Sequence, residues 1–123
     1  MRFMMLMIPD VYKRPTPKDF APPAEAIAAM EKFNLEMEAA GILRALDGLT
    51  PPDQAVRASF RGGKPLVTDG PFAETKEVVG GYWIIEVASR EDAIGWLKRI
   101  PASDGDIVEL RRIFGPEDFG PRA

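Results

Sequence analysis

The sequence predicts an α+β domain, on three observations. Apolar residues recur at steps of three and four in two segments, 24–40 and 89–100. The stretches between them alternate in polarity or run briefly apolar, as strands do. Gly and Pro, 11 and 12 in number, concentrate between these segments and act as punctuation. A chain of 123 residues with 46% hydrophobic and 28% charged residues is expected to be one domain, 1–123, with a core of its own.

The first strand is expected at 3–8, an apolar run buried on both faces. MRFMMLMIPD is too short for a signal-peptide core and no small-residue cleavage site follows. Met4, Met5 and Met7 read as core filler rather than metal ligands. Residues 9–23 hold five prolines and read as a loop. The first helix follows at 24–40, with Ile27, Met30, Phe33, Met37 and Ala40 on one face and Gly41 as its left-handed terminator. The second helix opens at Ser89-Arg90-Glu91-Asp92, a capping-box pattern with Asp in the third place, buries Ala93, Trp96, Leu97 and Ile100, and ends before Pro101. Strands are expected at 42–47, 54–60, 65–68, 81–87 and 107–114, the 54–60 and 65–68 pair joined by a turn at Arg61-Gly62-Gly63-Lys64. Setting that hairpin aside leaves βαββαβ, the split βαβ or ferredoxin-like order. The tail from 115 reads as a loose terminus.

Two helices on one side of an antiparallel sheet leave the other side in need of a cover. Residue parity places Tyr82, Ile84 and Glu86 against Trp83, Ile85 and Val87, and Glu109 and Arg111 against Val108 and Leu110. The side away from the helices thus mixes aliphatic residues with Glu86, Glu109 and Arg111, and with Arg44 and Arg57 by the same alternation. Such a mixture suits a dimer interface around a polar cavity, or a solvent-facing sheet with cross-strand ion pairs.

Composition excludes more than it selects. The chain has no cysteine and no histidine, so disulfides, thiolate or imidazole metal sites, Ser-His-Asp triads and histidine bases are ruled out. No cofactor and no metal are expected. A net charge of 16 − 19 = −3, without a basic run, argues against nucleic acid. The absence of an 18-residue apolar stretch argues against a membrane span and makes the cytoplasm the expected location.

Two glycine motifs carry no nucleotide signal. Gly62-Gly63-Lys64 has Ala58 and Pro65 where a phosphate loop needs Gly and Ser or Thr. Gly80-Gly81 lacks the third glycine and opening helix of a dinucleotide fingerprint and marks a bulge or a close backbone approach. Glu86 and Glu109 form an acid/base pair if the strands bring them together in an apolar cleft, or else structural ion pairs with Arg111 and Arg44. In Asp69-Gly70-Pro71 a side-chain turn, a permissive glycine and a fixed φ make a sharp corner that throws Phe72 inward. Glu74, Lys76 and Glu77 follow it, as part of a rigid connector or as the border of a pocket.

The stretch at 67–87, VTDGPFAETKEVVGGYWIIEV, resembles the signature of the DGPF branch of the YCII-related proteins. The likeness extends through Ala40-Gly41-Ile42-Leu43, Gly48-Leu49-Thr50-Pro51 and Ser89-Arg90-Glu91-Asp92-Ala93. It implies a ferredoxin-like domain that pairs into a homodimeric α/β barrel, with a small pocket between sheet, loops and partner. It also implies a bacterial regulatory or stress setting, since genes of the family often neighbour extracytoplasmic-function sigma factors. Asp69, Gly70, Pro71 and Phe72 match the motif, as do Glu74, Lys76, Glu77 and Gly81. The histidine and aspartate suggested as a catalytic pair in the wider group fall at Met30 and at or beside Ile100, so that chemistry does not carry over. The candidate ligand-binding residues are Asp69, Phe72, Glu74, Lys76, Glu86, Glu109, Arg111 and Arg57. Three roles are open: a ligand-sensing homodimer, a cofactor-independent enzyme with Glu86 or Glu109 as base and Arg111 as anion clamp, and a docking module for a sigma factor through Phe72 and its charged loop.

Overall fold

The structure is a computed structural model and describes residues 1–14, 20–70 and 78–121. It shows a mixed α/β fold with two sheets. Strands β1 (Arg2–Ile8), β2 (Leu43–Gly48), β5 (Gly81–Glu86) and β6 (Ile107–Arg112) form one sheet in the order β2-β5-β1-β6. Strands β3 (Val56–Arg61) and β4 (Lys64–Asp69) form a separate two-stranded ribbon. Helices α1 (Ala24–Ala39) and α2 (Arg90–Leu97) make the βαβ crossovers. All neighbours in the large sheet are antiparallel, so β1 and β2 run parallel with β5 between them, the split βαβ connection.

The core lies between this sheet and the helices. Phe3, Met5 and Met7 of β1 and Trp83 and Ile85 of β5 are buried against Phe33 and Met37 of α1 and Ala93 of α2. Met5, Met37 and Ile85 are the largest side chains fully enclosed. Met4 and Leu6 are only half-buried, so β1 is covered on one face and not on both as its apolar run suggested. The apolar stripe of α1 also overreaches its partner. Phe33 and Met37 are buried and Met30 half-buried, whereas Ile27 and Ala40, towards the two ends of the stripe, are exposed.

Capping fixes the helix ends. Gly41 at φ +73° ends α1 in a Schellman motif, with the Ile42 amide donating to the Met37 carbonyl at 3.2 Å and the Gly41 amide to that of Glu38 at 2.9 Å. Ser89 Oγ accepts from the Asp92 amide at 3.1 Å and opens α2, which ends at Leu97. The tail is held by a fork: Arg112 donates to both Asp118 oxygens at 2.8 and 2.7 Å, and the Gly115 amide donates to Asp118 Oδ2 at 2.6 Å.

The α/β barrel is overturned by this topology. A barrel requires the last strand of a sheet to hydrogen-bond to the first. Here the large sheet is open, with β2 and β6 as its edges, and the ribbon is a sheet of its own. At the β2 edge the ladder skips Arg44 between Leu43 and Ala45, a bulge. The ribbon has an apolar face, Val56, Ala58 and Phe60 beside Pro65 and Val67, and a second face with Arg57, Arg61 and Lys64. Val56, Phe60 and Val67 are exposed at 61%, 74% and 64%, so the apolar face has no cover among the described residues, while Leu66, exposed at 66%, stands opposite Ser59 on the second face.

Candidate functional site

Strand register sets out the open face of the large sheet row by row. Asp47, Tyr82, Leu6 and Glu109 lie across it in one row, and Ala45, Ile84, Met4 and Arg111 in the next. Glu86 pairs with Arg2 beyond them. The centre, Met4, Leu6, Ala45 and Ile84, is aliphatic and half-buried. Around it stand Arg2, Arg44 and Arg111, and against them Asp47, Glu86 and Glu109.

The two candidate carboxylates are each paired with an arginine. Arg44 Nε lies 3.5 Å from Glu86 Oε1 and Arg111 Nε lies 3.9 Å from Glu109 Oε2. Their side chains are 49% and 52% exposed, in the range where such pairs stabilise weakly. Strand β1 separates them, and they are offset by the four residues from Arg2 to Leu6. With strands about 4.8 Å apart and about 3.3 Å per residue, they stand roughly 16 Å from each other. That is too far for acid and base to share one small reacting group within a chain. The sheet therefore brings Glu86 and Glu109 to one face without bringing them together.

The other expected positions are dispersed. Arg57 lies on β3 and belongs to the ribbon, not to the large sheet. Asp69 closes β4 opposite Val56, and the next amide, of Gly70, donates to the Ala55 carbonyl at 2.7 Å. Phe72, Glu74 and Lys76 lie outside the described residues. Met30 and Ile100, at the places of the suggested catalytic pair, do not meet in a site, since Ile100 is buried in the core.

Met30 instead lines a cavity that sequence reasoning missed. This hollow of about 230 Å³ lies between α1 and the adjoining ends of β2 and β5. Met30 and Asn34 form its helix side, Met7, Leu46 and Trp83 its sheet side, and Asp47, Gly48, Gly80, Gly81 and Tyr82 its rim. Gly48 and Gly81 face each other across the ladder. Neither glycine adds a side chain to the hollow, and Asp47 and Tyr82 bound it at the strand ends while their side chains share the open face of the sheet. The Trp83 indole donates from Nε1 to Asn34 Oδ1 at 2.8 Å, and the Tyr82 hydroxyl donates to Asp47 Oδ2 at 3.2 Å. The hydrogen bond to Asp47, and then that carboxylate's charge, hold the Tyr82 phenol above its ordinary pKa.

Close packing at Gly80 fixes the same corner. Its amide donates to the Met7 carbonyl at 2.7 Å and its carbonyl accepts from Leu49 at 2.9 Å. Tyr12 packs beside it and donates through its hydroxyl to the Leu49 carbonyl at 2.9 Å. Burial, and then the charge of Asp53, hold the Tyr12 phenol above its ordinary pKa. The one advance signal was Trp83, because a buried indole N–H needs an acceptor nearby. Among the described residues no cluster of acidic side chains is arranged to hold a metal ion, and no helix is long and apolar enough to cross a membrane.

Comparison with known proteins agrees with the likeness of residues 67–87. An uncharacterised protein of Rhizobium meliloti (strain 1021) is 37% identical over 59 residues, 48% of this chain and 48% of that protein. The chain thus matches about half the length of that curated relative. The model of the YCII-related domain matches residues 1–117, nearly the whole sequence. The chain belongs to the YCII-related family.

Proposed function

We propose that the protein is a small-molecule-binding homodimer in which two copies oppose the open faces of their large sheets and hold a polar ligand between them. The observation that carries this reading is the composition of that face. Three cations, Arg2, Arg44 and Arg111, and three anions, Asp47, Glu86 and Glu109, surround an aliphatic centre. A face with an apolar centre and balanced charge can pair with its own copy about a two-fold axis. Packed sheets sit about 10 Å apart with their side chains interdigitated, so a small guest would be held where a short residue such as Ala45 leaves a gap. Glu86, Glu109 and Arg111 would supply polar contacts to that guest from both copies. The Asp69 corner and the segment with Phe72, Glu74 and Lys76 would border the entrance, and the ribbon with Arg57 would reach over the partner. The cytoplasm is the setting of this reading.

The test is native mass spectrometry and light scattering on the full chain and on Ile84→Arg, with circular dichroism as a folding control. A dimer that becomes a folded monomer in Ile84→Arg is the expected result. A wild-type chain that stays monomeric at high micromolar concentration overturns the reading. A thermal-shift screen of small polar metabolites then reports the guest, because a ligand that binds only the folded state raises Tm.

A second reading draws on the ribbon, whose apolar side is uncovered among the described residues. It serves a protein partner, for which the family setting suggests an extracytoplasmic-function sigma factor. Phe60→Ser would abolish co-purification with that factor. Absence of wild-type binding at micromolar concentration rules this reading out.

A further inference from the structure

We propose that β6 pairs with the β6 of a second copy, antiparallel and centred on Leu110, and so continues the large sheet across a two-fold axis. The large sheet ends in two unlike edges, β2 and β6. β2 is bulged at Arg44, whose guanidinium occupies the Gly41 and Leu43 carbonyls. β6 keeps an unbroken register with β1 from Ile107 to Arg112. One step beyond that register, the Ile113 amide donates to the Arg2 carbonyl at 2.9 Å. Antiparallel bonding alternates along a strand, so Glu109 and Arg111 also bond to β1, and Val108, Leu110 and Arg112 turn their backbone groups outward. Among the described residues no partner is recorded for those outward groups. A row of open donors and acceptors on a regular edge is a template for another strand.

The residues of β6 identify that strand as a second β6. Placing Leu110 opposite its own copy sets Val108 opposite Arg112 and lets the outward groups of all three bond in pairs. The same register sets Glu109 opposite Arg111 on either side of the axis. Within one chain these two make only a loose contact of 3.9 Å, with side chains 52% and 72% exposed. Opposite charges directly across an antiparallel pair stabilise it, and like charges do the reverse. The neighbouring registers that keep the bonding pattern centre the axis on Glu109 or Arg111 and set that residue against its own copy. Of these three registers, only the one centred on Leu110 is complementary in both hydrogen bonding and charge. The axis stands perpendicular to the sheet, so the open faces of both copies stay on one side. This contact is therefore separate from the face-to-face pairing and stands or falls without it.

Disulfide trapping tests it, because the chain has no cysteine of its own. Glu109→Cys and Arg111→Cys are made as separate chains in the Ile84→Arg background, where the open face contributes nothing. The same two are made in the otherwise unchanged chain, in case Ile84→Arg does not fold. The contact is narrow, at the transient end of protein interfaces, and covalent capture accumulates it. Residues directly opposite on paired strands have Cα atoms about 4.5–5.5 Å apart, within reach of a disulfide. Residues on sheets stacked about 10 Å apart are beyond it, so the bond does not report face-to-face pairing. In a glutathione redox buffer the equimolar mixture should give several-fold more linked dimer than either variant alone. No linked dimer from the mixture overturns the proposal. So does an equal yield from either variant alone, which marks random collision or one of the like-charge registers.

Discussion

The indole of Trp83 on β5 donates to the side-chain carbonyl of Asn34 on α1 at 2.8 Å, the polar tie between helix and sheet at the edge of the core. Trp83 is 5% exposed and meets Phe33 edge to face, with ring centroids 6.2 Å apart. Its N–H would have no partner in this packing without Asn34, so the helix supplies the acceptor that the buried ring requires.

Replacing Asn34 by Leu should therefore cost about 1–3 kcal/mol, the penalty for an unpaired buried donor. Urea unfolding of Asn34→Leu, Trp83→Phe and the double variant measures it. The double variant should lose less than the sum of the singles, because the two side chains share one bond.

Gly80→Ala should destabilise the chain and disturb the cavity together. A Cβ there would stand 2.8 Å from Pro9 Cδ and 3.0 Å from Tyr12 Cε2, and a proline ring cannot swing away. A lower Tm with shifted Tyr12 ring signals is the expected outcome. Gly95→Ala serves as the control, since a Cβ at that position meets nothing within 4 Å.

Ser89→Ala should cost about 1 kcal/mol through loss of the α2 cap. Ser89→Asp should restore most of it, because a carboxylate can accept from the same Asp92 amide. Chemical denaturation of both variants reads the difference.

Asp118 should titrate at about 2, held down by the Arg112 fork and then by the Gly115 amide. Its folded pKa lies below the ordinary aspartate value of 3.8, so its contribution to stability is fully present above that value. The contribution is lost as pH falls towards about 2. Carboxyl carbon NMR against pH checks the midpoint, and Asp118→Asn should remove the matching part of the acid-side loss.

What the sequence revealed was local. The alternation of Tyr82, Ile84 and Glu86 against Trp83 and Ile85 has a period of two, and the pleat converts that directly into faces. Ser89 and Gly41 marked helix ends because their chemistry acts within a few residues. Glu86 and Glu109 show where such reading stops. Their parity was right, but their separation depends on β1 entering between β5 and β6, a pairing made between residues far apart in the chain. Arg57 lies on the hairpin that the Arg61-Gly62-Gly63-Lys64 turn marked, yet alternation alone had grouped it with the charges on the open face of the large sheet, which that hairpin does not join. The cavity was hidden for the same reason, since Gly48 meets Gly81 only after β2 has paired with β5.

The bulge that skips Arg44 on β2 bears on how copies of this chain avoid uncontrolled growth. A straight outer strand is a template on which another molecule can extend the ladder indefinitely. Here the irregular hydrogen-bonding rhythm is reinforced by the Arg44 guanidinium, which donates to the carbonyls of Gly41 and Leu43 at 2.9 and 3.3 Å. Side-by-side extension of the ladder along this rim is thereby discouraged.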